Sequence, residues 1–400
     1  MSLAWLYEHE HIYQQRTGKA VWSLSDWHND PGDVVLPASM LSTLSVDPDT
    51  LSRYRFMDTV ISTKSKIGEF YSGTYGLLLE SDRFAISHNG TAALHLTIRS
   101  LALAGVDRIL MVTPAYFSLF DVLKLYGITV VYAHTNLADD TATAVGRLLK
   151  IAREQMVAAI FITNPIFATG RALGRDYLER MKEYADRTGT WLVIDESLGG
   201  LPWAPTAERP FATSVMGLAV NHPRIVYLWS VSKALFLNGL KHSLVAAPDN
   251  IIRSMEKAAD LVIGSFSTHQ LLLVERIYSA AHSAEISECA RLNILQFSAA
   301  YDLCVASVSG TSFQLTPVDT GFHTVAYTTK AFERPAEVAR RVAIEMIERF
   351  GVSAIPLAHF GFPPFSPVGF RVNLSKNPGK LCDALVRLPE IVHKYSHFAH

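Results

Sequence analysis

The stretch SVSKALFLNGLKHS (Ser230–Ser243) begins at the last residue of the run RIVYLWS. A short apolar run of this kind is typical of a buried strand. Lys233 therefore lies at the exit of a strand, and a second lysine, Lys241, follows eight residues later. A lysine in that position is either a surface residue whose ammonium reaches water or an amine placed for chemistry.

The chain around this stretch alternates short apolar runs with amphipathic segments from about residue 83 to residue 245. FAIS, RILMVT, VAAIFIT and TWLVIDES have the composition of strands, whereas DYLERMKEYADRTG has helical spacing and ends at a glycine. Strands alternating with helices form βαβ units. The sequence therefore predicts an α/β fold with a mostly parallel central sheet and helices on both faces.

Three parts of the chain differ in pattern, and they predict three structural units. Residues 1–55, with Pro31, Gly32, Pro37 and Pro48, are expected to form an N-terminal arm outside the sheet, residues 56–285 a large α/β domain, and residues 286–400 a small α+β domain. Two stretches, PDNIIRSMEKAADLVIGSFSTHQLLLVERIYSAA and SECARLNILQFSAAYDLCVASV, are each predicted to be a long helix.

Composition excludes several function classes. The 400 residues are 49% hydrophobic and 18% charged, which suits a large core, and the net charge of −1 gives no electrostatic footprint for nucleic acid or an anionic membrane. The N-terminus lacks the pattern of a signal peptide, and no apolar stretch is long enough to span a membrane. Three widely spaced cysteines fit a reduced, cytoplasmic protein. No metal-binding spacing occurs, so no metal is expected.

Ligands of an open parallel sheet bind at the carboxyl ends of the strands, so the residues there are the candidates for a site. Gly90 and Thr91 begin a helix after FAIS, where backbone N–H groups can hold a phosphate. Tyr116 follows RILMVT and could stack on a planar ring, and Asp195 ends TWLVID. Each has an ordinary alternative: a capped turn, a core aromatic residue and a helix cap.

Taken together, the order G-T, P-x-Y, T-G, D-E-S and S-x-S-K with G-x-K behind it resembles the pyridoxal-phosphate enzymes of aminotransferase class I/II, which have fold type I. The resemblance covers roughly residues 65–375, and its most specific part is S-x-S-K, 38 residues beyond Asp195. It implies pyridoxal 5′-phosphate as cofactor and a Schiff base at Lys233. It also implies a phosphate site that includes the Gly90–Thr91 turn together with Ser230, Ser232 and Lys241.

The same resemblance assigns further roles. Asp195 pairs with the pyridine nitrogen, and Tyr116 stacks on the ring. Arg371, in GFRVNLS, grips the substrate carboxylate. Tyr71, in YSGTYG, reaches the phosphate of a neighbouring subunit, which predicts a homodimer with shared active sites.

Four departures from the family pattern matter. Phe167 replaces the asparagine that contacts the phenolic oxygen of the cofactor, and Leu198 replaces a tyrosine with the same partner. Lys241 replaces the phosphate arginine, and the stretch after Gly76 lacks the usual helical segment. Asn164 lies three residues before Phe167 and is a candidate to replace its contact to the cofactor.

A subgroup with similar features oxidises or cyclises arginine in specialised metabolism. The chain resembles it in LVIDESLGGL, in G-L-K and in SLSDWHND of the arm. The resemblance implies that His28 lies over the cofactor and takes part in catalysis, with a solvated histidine as the alternative. Trp27 beside it is expected to form a wall of the substrate pocket.

These observations favour a homodimeric enzyme that transforms the α-carbon of an L-amino acid through a carbanion. Elimination or replacement, cyclisation and oxidation rank slightly above transamination, because Phe167 and Leu198 remove two polar contacts to the cofactor. An ordinary aminotransferase that uses a 2-oxo acid acceptor and a non-catalytic ligand sensor are the alternatives.

Overall fold

The structure is a computed structural model that describes residues 3–27, 29–30, 32–42, 46, 48–135, 141–203, 216–363 and 366–395. Its N-terminal part contains one long helix, three short elements and a helix that leads into the main sheet. In chain order they are α1 (Ala4–Thr17), β1 (Trp22–Ser23), α2 (Ala38–Leu41), α3 (Pro48–Leu51) and α4 (Ile61–Tyr75).

A seven-stranded sheet organises the next part of the chain. Strands and helices follow in the order β2 (Phe84–Ser87), α5 (Gly90–Leu103), β3 (Arg108–Thr113), α6 (Phe117–Leu125), β4 (Thr129–His134), α7 (Thr141–Glu154), β5 (Ala159–Thr163), α8 (Arg175–Thr188), β6 (Trp191–Asp195), α9 (Met216–Ala219), β7 (Ile225–Trp229), α10 (Val231–Ala234) and β8 (Ser243–Ala246). The spatial order is β2-β8-β7-β6-β5-β3-β4, and β8 alone runs antiparallel to its neighbours. The predicted α/β fold with a mostly parallel sheet is confirmed.

Burial of the central strands shows that both faces of this sheet are covered. Every residue of β5, β6 and β7 is buried. Successive side chains of a strand point to opposite faces, so continuous burial requires cover on both sides. α5 packs against β2, β7 and β8, and α8 packs against β6.

The C-terminal part combines long helices with a small antiparallel sheet. Its elements are α11 (Asp249–Val262), α12 (Thr268–Ile277), α13 (Ser283–Val308), β9 (Phe313–Leu315), β10 (His323–Thr328), α14 (Pro335–Phe350), β11 (Val352–Ser353), β12 (Gly369–Asn373), α15 (Pro378–Leu385) and α16 (Arg387–His393). The sheet order is β12-β10-β9. An α+β unit was expected here, and we keep its boundary at residue 286, in the first turn of α13, as a proposal.

One predicted helix is wrong. The stretch 248–281 forms two helices, α11 and α12, with a break at residues 263–267. Gly264 has a φ of +80°, a left-handed conformation that ends a helix and that glycine adopts without strain. The apolar periodicity on both sides of the glycine hid this break.

The N-terminal arm lies against the C-terminal part of the chain. β1 pairs in parallel with β11, and α1 packs on α14. This pairing brings residues 25–27 next to β12. None of the helices in the part of the chain that the structure describes is long and apolar enough to cross a membrane.

Candidate active site

One cavity of about 1000 Å³ opens at the carboxyl ends of the parallel strands. The turns after β2, β3, β5, β6 and β7 all contribute to its wall, because parallel strands end at the same edge of a sheet. The arm and the C-terminal part close it from the other side. Ten predicted site residues line this cavity: Trp27, Gly90, Thr91, Tyr116, Asp195, Ser230, Ser232, Lys233, Lys241 and Arg371.

Lys233 presents an amine to this cavity. It lies on α10, the short helix that begins directly after β7. Burial lowers the pKa of its ammonium to about 8, and the positive charges of Lys241 and Arg371 act in the same direction. A substantial fraction of the side chain is therefore a neutral, nucleophilic amine at mildly alkaline pH.

Asp195 lies at the last position of β6 and faces the cavity. One carboxylate oxygen, Oδ1, accepts a hydrogen bond of 2.9 Å from the backbone N–H of Ser197. Burial raises the pKa of this carboxyl group, because the charged form loses water. A protonated ring nitrogen beside it would supply the missing positive charge.

The other end of the cavity is suited to an anion. The N–H groups of Gly90 and Thr91, at the start of α5, have no acceptor among the described residues. Ser230 Oγ donates to the carbonyl oxygen of His242 at 2.9 Å and lies 2.8 Å from Ser232 Oγ. Lys241 adds a positive charge. Free N–H groups at a helix N-terminus, together with hydroxyls and an ammonium, have the chemistry to hold a phosphate.

Arg371 approaches the cavity from β12. Its Nε donates a 2.9 Å hydrogen bond to the carbonyl oxygen of Ser25, and its guanidinium carbon lies 4.7 Å from the ring centroid of Phe360. Burial lowers its pKa to about 10, so it stays charged at neutral pH. Its two terminal nitrogens have no acceptor among the described residues and can bind a carboxylate bidentately.

Asn164, the candidate for the missing contact to the cofactor, has an amide that is hydrogen-bonded within the protein. Its side-chain Nδ2 donates to the carboxylate of Glu196, and its Oδ1 accepts from the N–H of Leu173 at 2.8 Å. Asn164 lies outside the cavity wall, whereas Phe167 and Leu198 line it. Buried neighbours hold the amide in this arrangement, and the predicted contact of Asn164 with the cofactor stays a prediction.

Tyr71 makes its contacts in this structure within its own chain. It is fully buried in its own chain, where its hydroxyl accepts a 2.8 Å hydrogen bond from Trp229 Nε1 and its ring contacts Tyr278. Tyr71 lies on the inward face of α4, which ends directly before Gly76. Its predicted contact with the phosphate of a neighbouring subunit stays a prediction.

His28 lies outside the described residues, so its predicted role stays a prediction. Several cavity residues were not predicted as site residues: Tyr7, Phe117, Asp121, Asn238, His242 and His359. Phe117 directly follows the predicted site residue Tyr116, and this proximity in the sequence could have identified it. No group of three or more His, Cys, Asp or Glu side chains within the described ranges could hold a metal ion.

The fold and the cavity define the class of protein: a doubly wound α/β protein that presents a lysine, a buried aspartate and a phosphate cradle at one sheet edge. Residues 20–388 match the family model described as aminotransferase class I and II, and the chain belongs to this family. Members of the family use pyridoxal 5′-phosphate. The predicted membership and cofactor are thereby confirmed.

Two relatives described as aminotransferases agree with this membership. A histidinol-phosphate aminotransferase of Chlorobaculum tepidum is 27% identical over 175 residues, which are 43% of this chain and 46% of the relative. A probable aminotransferase of Mycobacterium tuberculosis is 25% identical over 210 residues, 52% of this chain and 45% of the relative. The matched region thus spans about half the length of these relatives.

Solved structures show the same fold over nearly the whole chain. An aspartate aminotransferase mutant of Thermus thermophilus has a TM-score of 0.76 at 16% identity and covers 98% of this chain and 97% of its own. A kynurenine aminotransferase of Pyrococcus horikoshii has a TM-score of 0.79 at 16% identity, with coverage of 99% and 95%.

The residues of the cavity fit the family cofactor. The phosphate would lie at Gly90, Thr91, Ser230, Ser232 and Lys241. Lys233 and Asp195 lie on the wall of the same cavity. The amine of Lys233 would form the Schiff base with the cofactor, and the carboxylate of Asp195 would pair with its pyridine nitrogen.

Proposed function

We propose that the protein is a pyridoxal-phosphate-dependent enzyme that transforms the α-carbon of an L-amino acid, with transfer of the amino group to a 2-oxo acid as its leading reaction. One observation carries the proposal. The partly neutral amine of Lys233 and the open guanidinium fork of Arg371 face the same cavity, and both lie within about 6 Å of the ring centroid of Trp27. The aminotransferase relatives support this order of preference.

Each residue then has a defined task. Bound in the cavity, the cofactor supplies an electron sink for negative charge at the substrate α-carbon. Arg371 orients the substrate carboxylate, and Lys233 takes and returns the α-proton. Asp195 would keep a proton on the pyridine nitrogen of the cofactor, since its buried carboxylate has no cationic partner among the described residues. The N–H groups of Gly90 and Thr91 anchor the phosphate.

The second candidate function is a different reaction at the α-carbon: oxidation, cyclisation, elimination or replacement in specialised metabolism. Phe167 and Leu198 favour it, because both line the cavity and neither can donate a hydrogen bond to the phenolic oxygen of the cofactor. Asn164 cannot supply that bond in the arrangement described above. Without a hydrogen bond to its phenolic oxygen, the cofactor would distribute the negative charge of the substrate carbanion differently.

Absorption spectroscopy of the cofactor-loaded protein separates these functions. L-Amino acids are added one at a time, with and without oxygen, and a 2-oxo acid follows. Conversion of the cofactor to its amine form, reversed by the 2-oxo acid, supports transamination. A change that depends on oxygen supports oxidation, and an oxygen-independent change with a new product supports the remaining reactions. No response to any amino acid would contradict the proposed enzyme and favour a ligand sensor.

Restoring a donor at position 167 tests the role of Phe167. In Phe167→Asn, we expect the pH at which the absorption of the loaded cofactor changes to fall by about one unit. One added hydrogen bond to the charged form contributes about 1 kcal/mol, and one pKa unit corresponds to about 1.4 kcal/mol. Phe167→Leu, which adds no donor, is the matched control. An equal shift in both variants would mean that the ring, not the missing bond, sets this pH.

The predicted homodimer is part of the proposal, and an apolar surface supports it. Five large apolar side chains are 52–78% exposed near the segment before α4 and at the end of α11: Leu51, Tyr54, Ile61, Leu261 and Val262. The N–H of Phe266 donates to the carbonyl oxygen of Arg55 at 2.8 Å and joins the two segments. Exposed apolar patches of this kind mark subunit interfaces.

Placing charges on this surface should dissociate the dimer. We expect Leu261→Asp with Val262→Asp to give monomers by size-exclusion chromatography with light scattering, because a carboxylate at an apolar interface loses its water. Leu303→Asp, at a similarly exposed leucine on α13, is the control and should stay dimeric. A dimer that survives the double substitution would place the interface elsewhere.

The cytoplasmic location stays a proposal as well. Cys289, Cys304 and Cys382 are all free thiols, and the first two are buried. Free thiols are the usual state of cysteine in a reducing compartment.

A further inference from the structure

The indole of Trp27 contacts two cations of the active site at once. The Nζ of Lys233 lies 4.3 Å from the ring centroid, and the guanidinium carbon of Arg371 lies 5.4 Å from it. Both distances are within the range in which the π face of an indole attracts a positive charge. No hydrogen-bond acceptor for Lys233 Nζ occurs among the described residues, so the indole is a principal contact of the amine.

The ring is held firmly in this position. His323 packs edge-on against it at 4.8 Å and Phe322 at 5.5 Å. The carbonyl oxygen of Trp27 accepts a 3.0 Å hydrogen bond from Asn238, in the loop that follows Lys233. His323 is fully buried, and burial lowers the pKa of its imidazole far below the ordinary value, so it adds no third positive charge.

The backbone next to Trp27 also fixes Arg371. The carbonyl oxygen of Ser25 accepts from Arg371 Nε at 2.9 Å, and Ser25 Oγ donates to the carbonyl oxygen of Arg371. Ser25 Oγ in turn accepts from the N–H of Ile355 at 2.9 Å. Residues 25–27 therefore form one rigid segment that contacts both cations, although the arm is distant from both in sequence.

We propose that Trp27 is the positioning residue for the free amine of Lys233: its indole face holds the amine and excludes water from it. This role goes beyond a wall of the substrate pocket. It rests on the proposed function for its catalytic meaning, because Lys233 must move a proton whenever its amine is free.

Several charged and titratable groups near Lys233 influence its pKa, and a test of Trp27 must distinguish their effects from that of the indole. Lys241 and Arg371 disfavour the ammonium, His323 is neutral, and Asp195 lies on the same cavity wall. Trp27 itself acts in two opposite ways. Its bulk buries the amine and favours the neutral form, whereas its π face stabilises the ammonium.

Two substitutions separate these two effects in the cofactor-free protein. Trp27→Leu keeps apolar bulk and removes the π face, so we expect the pKa of Lys233 to fall by about half to one unit. Trp27→Ala admits water, so we expect it to rise from about 8 toward the ordinary lysine value of 10.5. Trp27→Phe keeps an aromatic face and should stay near the wild-type value.

The measurement is limited acetylation with acetic anhydride between pH 6 and pH 10, followed by mass spectrometry of the peptide that contains Lys233. Trp22→Leu is the control: it lies in the same arm and its ring faces Lys376 and Lys380 instead. It should leave the pKa of Lys233 unchanged.

The proposal is supported if the pKa of Lys233 falls in Trp27→Leu and rises in Trp27→Ala. An unchanged pKa in both, or a shift in the same direction in both, overturns it. Circular dichroism of each variant shows whether it is folded. If the alanine variant is not folded, the pKa of Lys233 in Trp27→Phe is compared with that in Trp27→Leu instead. Because the protein carries no cofactor in this experiment, a negative result leaves the spectroscopic test of the proposed function untouched.

Discussion

Replacing Lys233 with alanine will lower the turnover of amino-acid substrates by roughly 10⁴-fold, the upper range for loss of a positioned acid–base group. The loss is large because the same amine would bind the cofactor covalently and move the α-proton. The pKa of about 8 makes the amine a competent nucleophile and base at mildly alkaline pH. Cofactor binding itself should persist, since Asp195, Lys241 and the N–H groups of α5 remain.

A chemical label identifies the lysine directly. Reduction of the loaded wild-type protein with borohydride should attach the cofactor to the peptide that contains Lys233, as read by mass spectrometry. Lys257→Ala, at an exposed lysine of α11, is the control and should keep both label and activity. A label on Lys241 would move the catalytic role there. Full activity of Lys233→Ala would overturn the proposed catalysis.

Replacing Arg371 with leucine will raise the KM for amino acids roughly 10²–10³-fold. Two charge-assisted hydrogen bonds to a carboxylate contribute about 3–4 kcal/mol together, and each 1.4 kcal/mol is a factor of ten. Arg371→Lys keeps the charge and loses the fork, so we expect a smaller increase of roughly tenfold. Steady-state kinetics with amino acids and with the matching amines that lack the carboxylate measures the effect.

The carboxylate-free amines make this prediction specific. Wild-type protein should strongly prefer the amino acid, and Arg371→Leu should lose that preference. Arg340→Leu, at an exposed arginine of α14 that packs over Trp5, is the control for loss of a surface charge. A variant that keeps the preference would mean that another cation binds the carboxylate. Thermal unfolding must accompany the kinetics, because Arg371 is buried and its loss leaves the carbonyl oxygen of Ser25 without this donor.

Residues that follow a strand were predictable because strand ends have a fixed geometry. Gly90, Tyr116, Asp195 and Lys233 each come directly after, or at the end of, an apolar run, and all four line the cavity. Carboxyl ends of parallel strands meet at one edge, so local pattern was sufficient to bring these residues together.

Side-chain direction was not predictable in the same way. Asn164 also follows a strand, yet its amide is hydrogen-bonded to Glu196 and Leu173, and the hydroxyl of Tyr71 is hydrogen-bonded to Trp229 in the core. The buried carboxylate of Glu196 and the indole of Trp229 are polar groups that need partners. Nearby polar side chains satisfy them, and no motif states which ones.

The sequence by itself determined the alternation of strands and helices, and with it the α/β fold and the set of residues at the strand ends. Those features depend on periodicity and on neighbours along the chain. Only the tertiary structure decided that Trp27 contacts both Lys233 and Arg371, and that the carbonyl oxygen of Ser25 accepts a hydrogen bond from the arginine. These contacts join residues more than 200 and more than 300 positions apart, and they arise from packing of the arm on the C-terminal part, which no local pattern encodes.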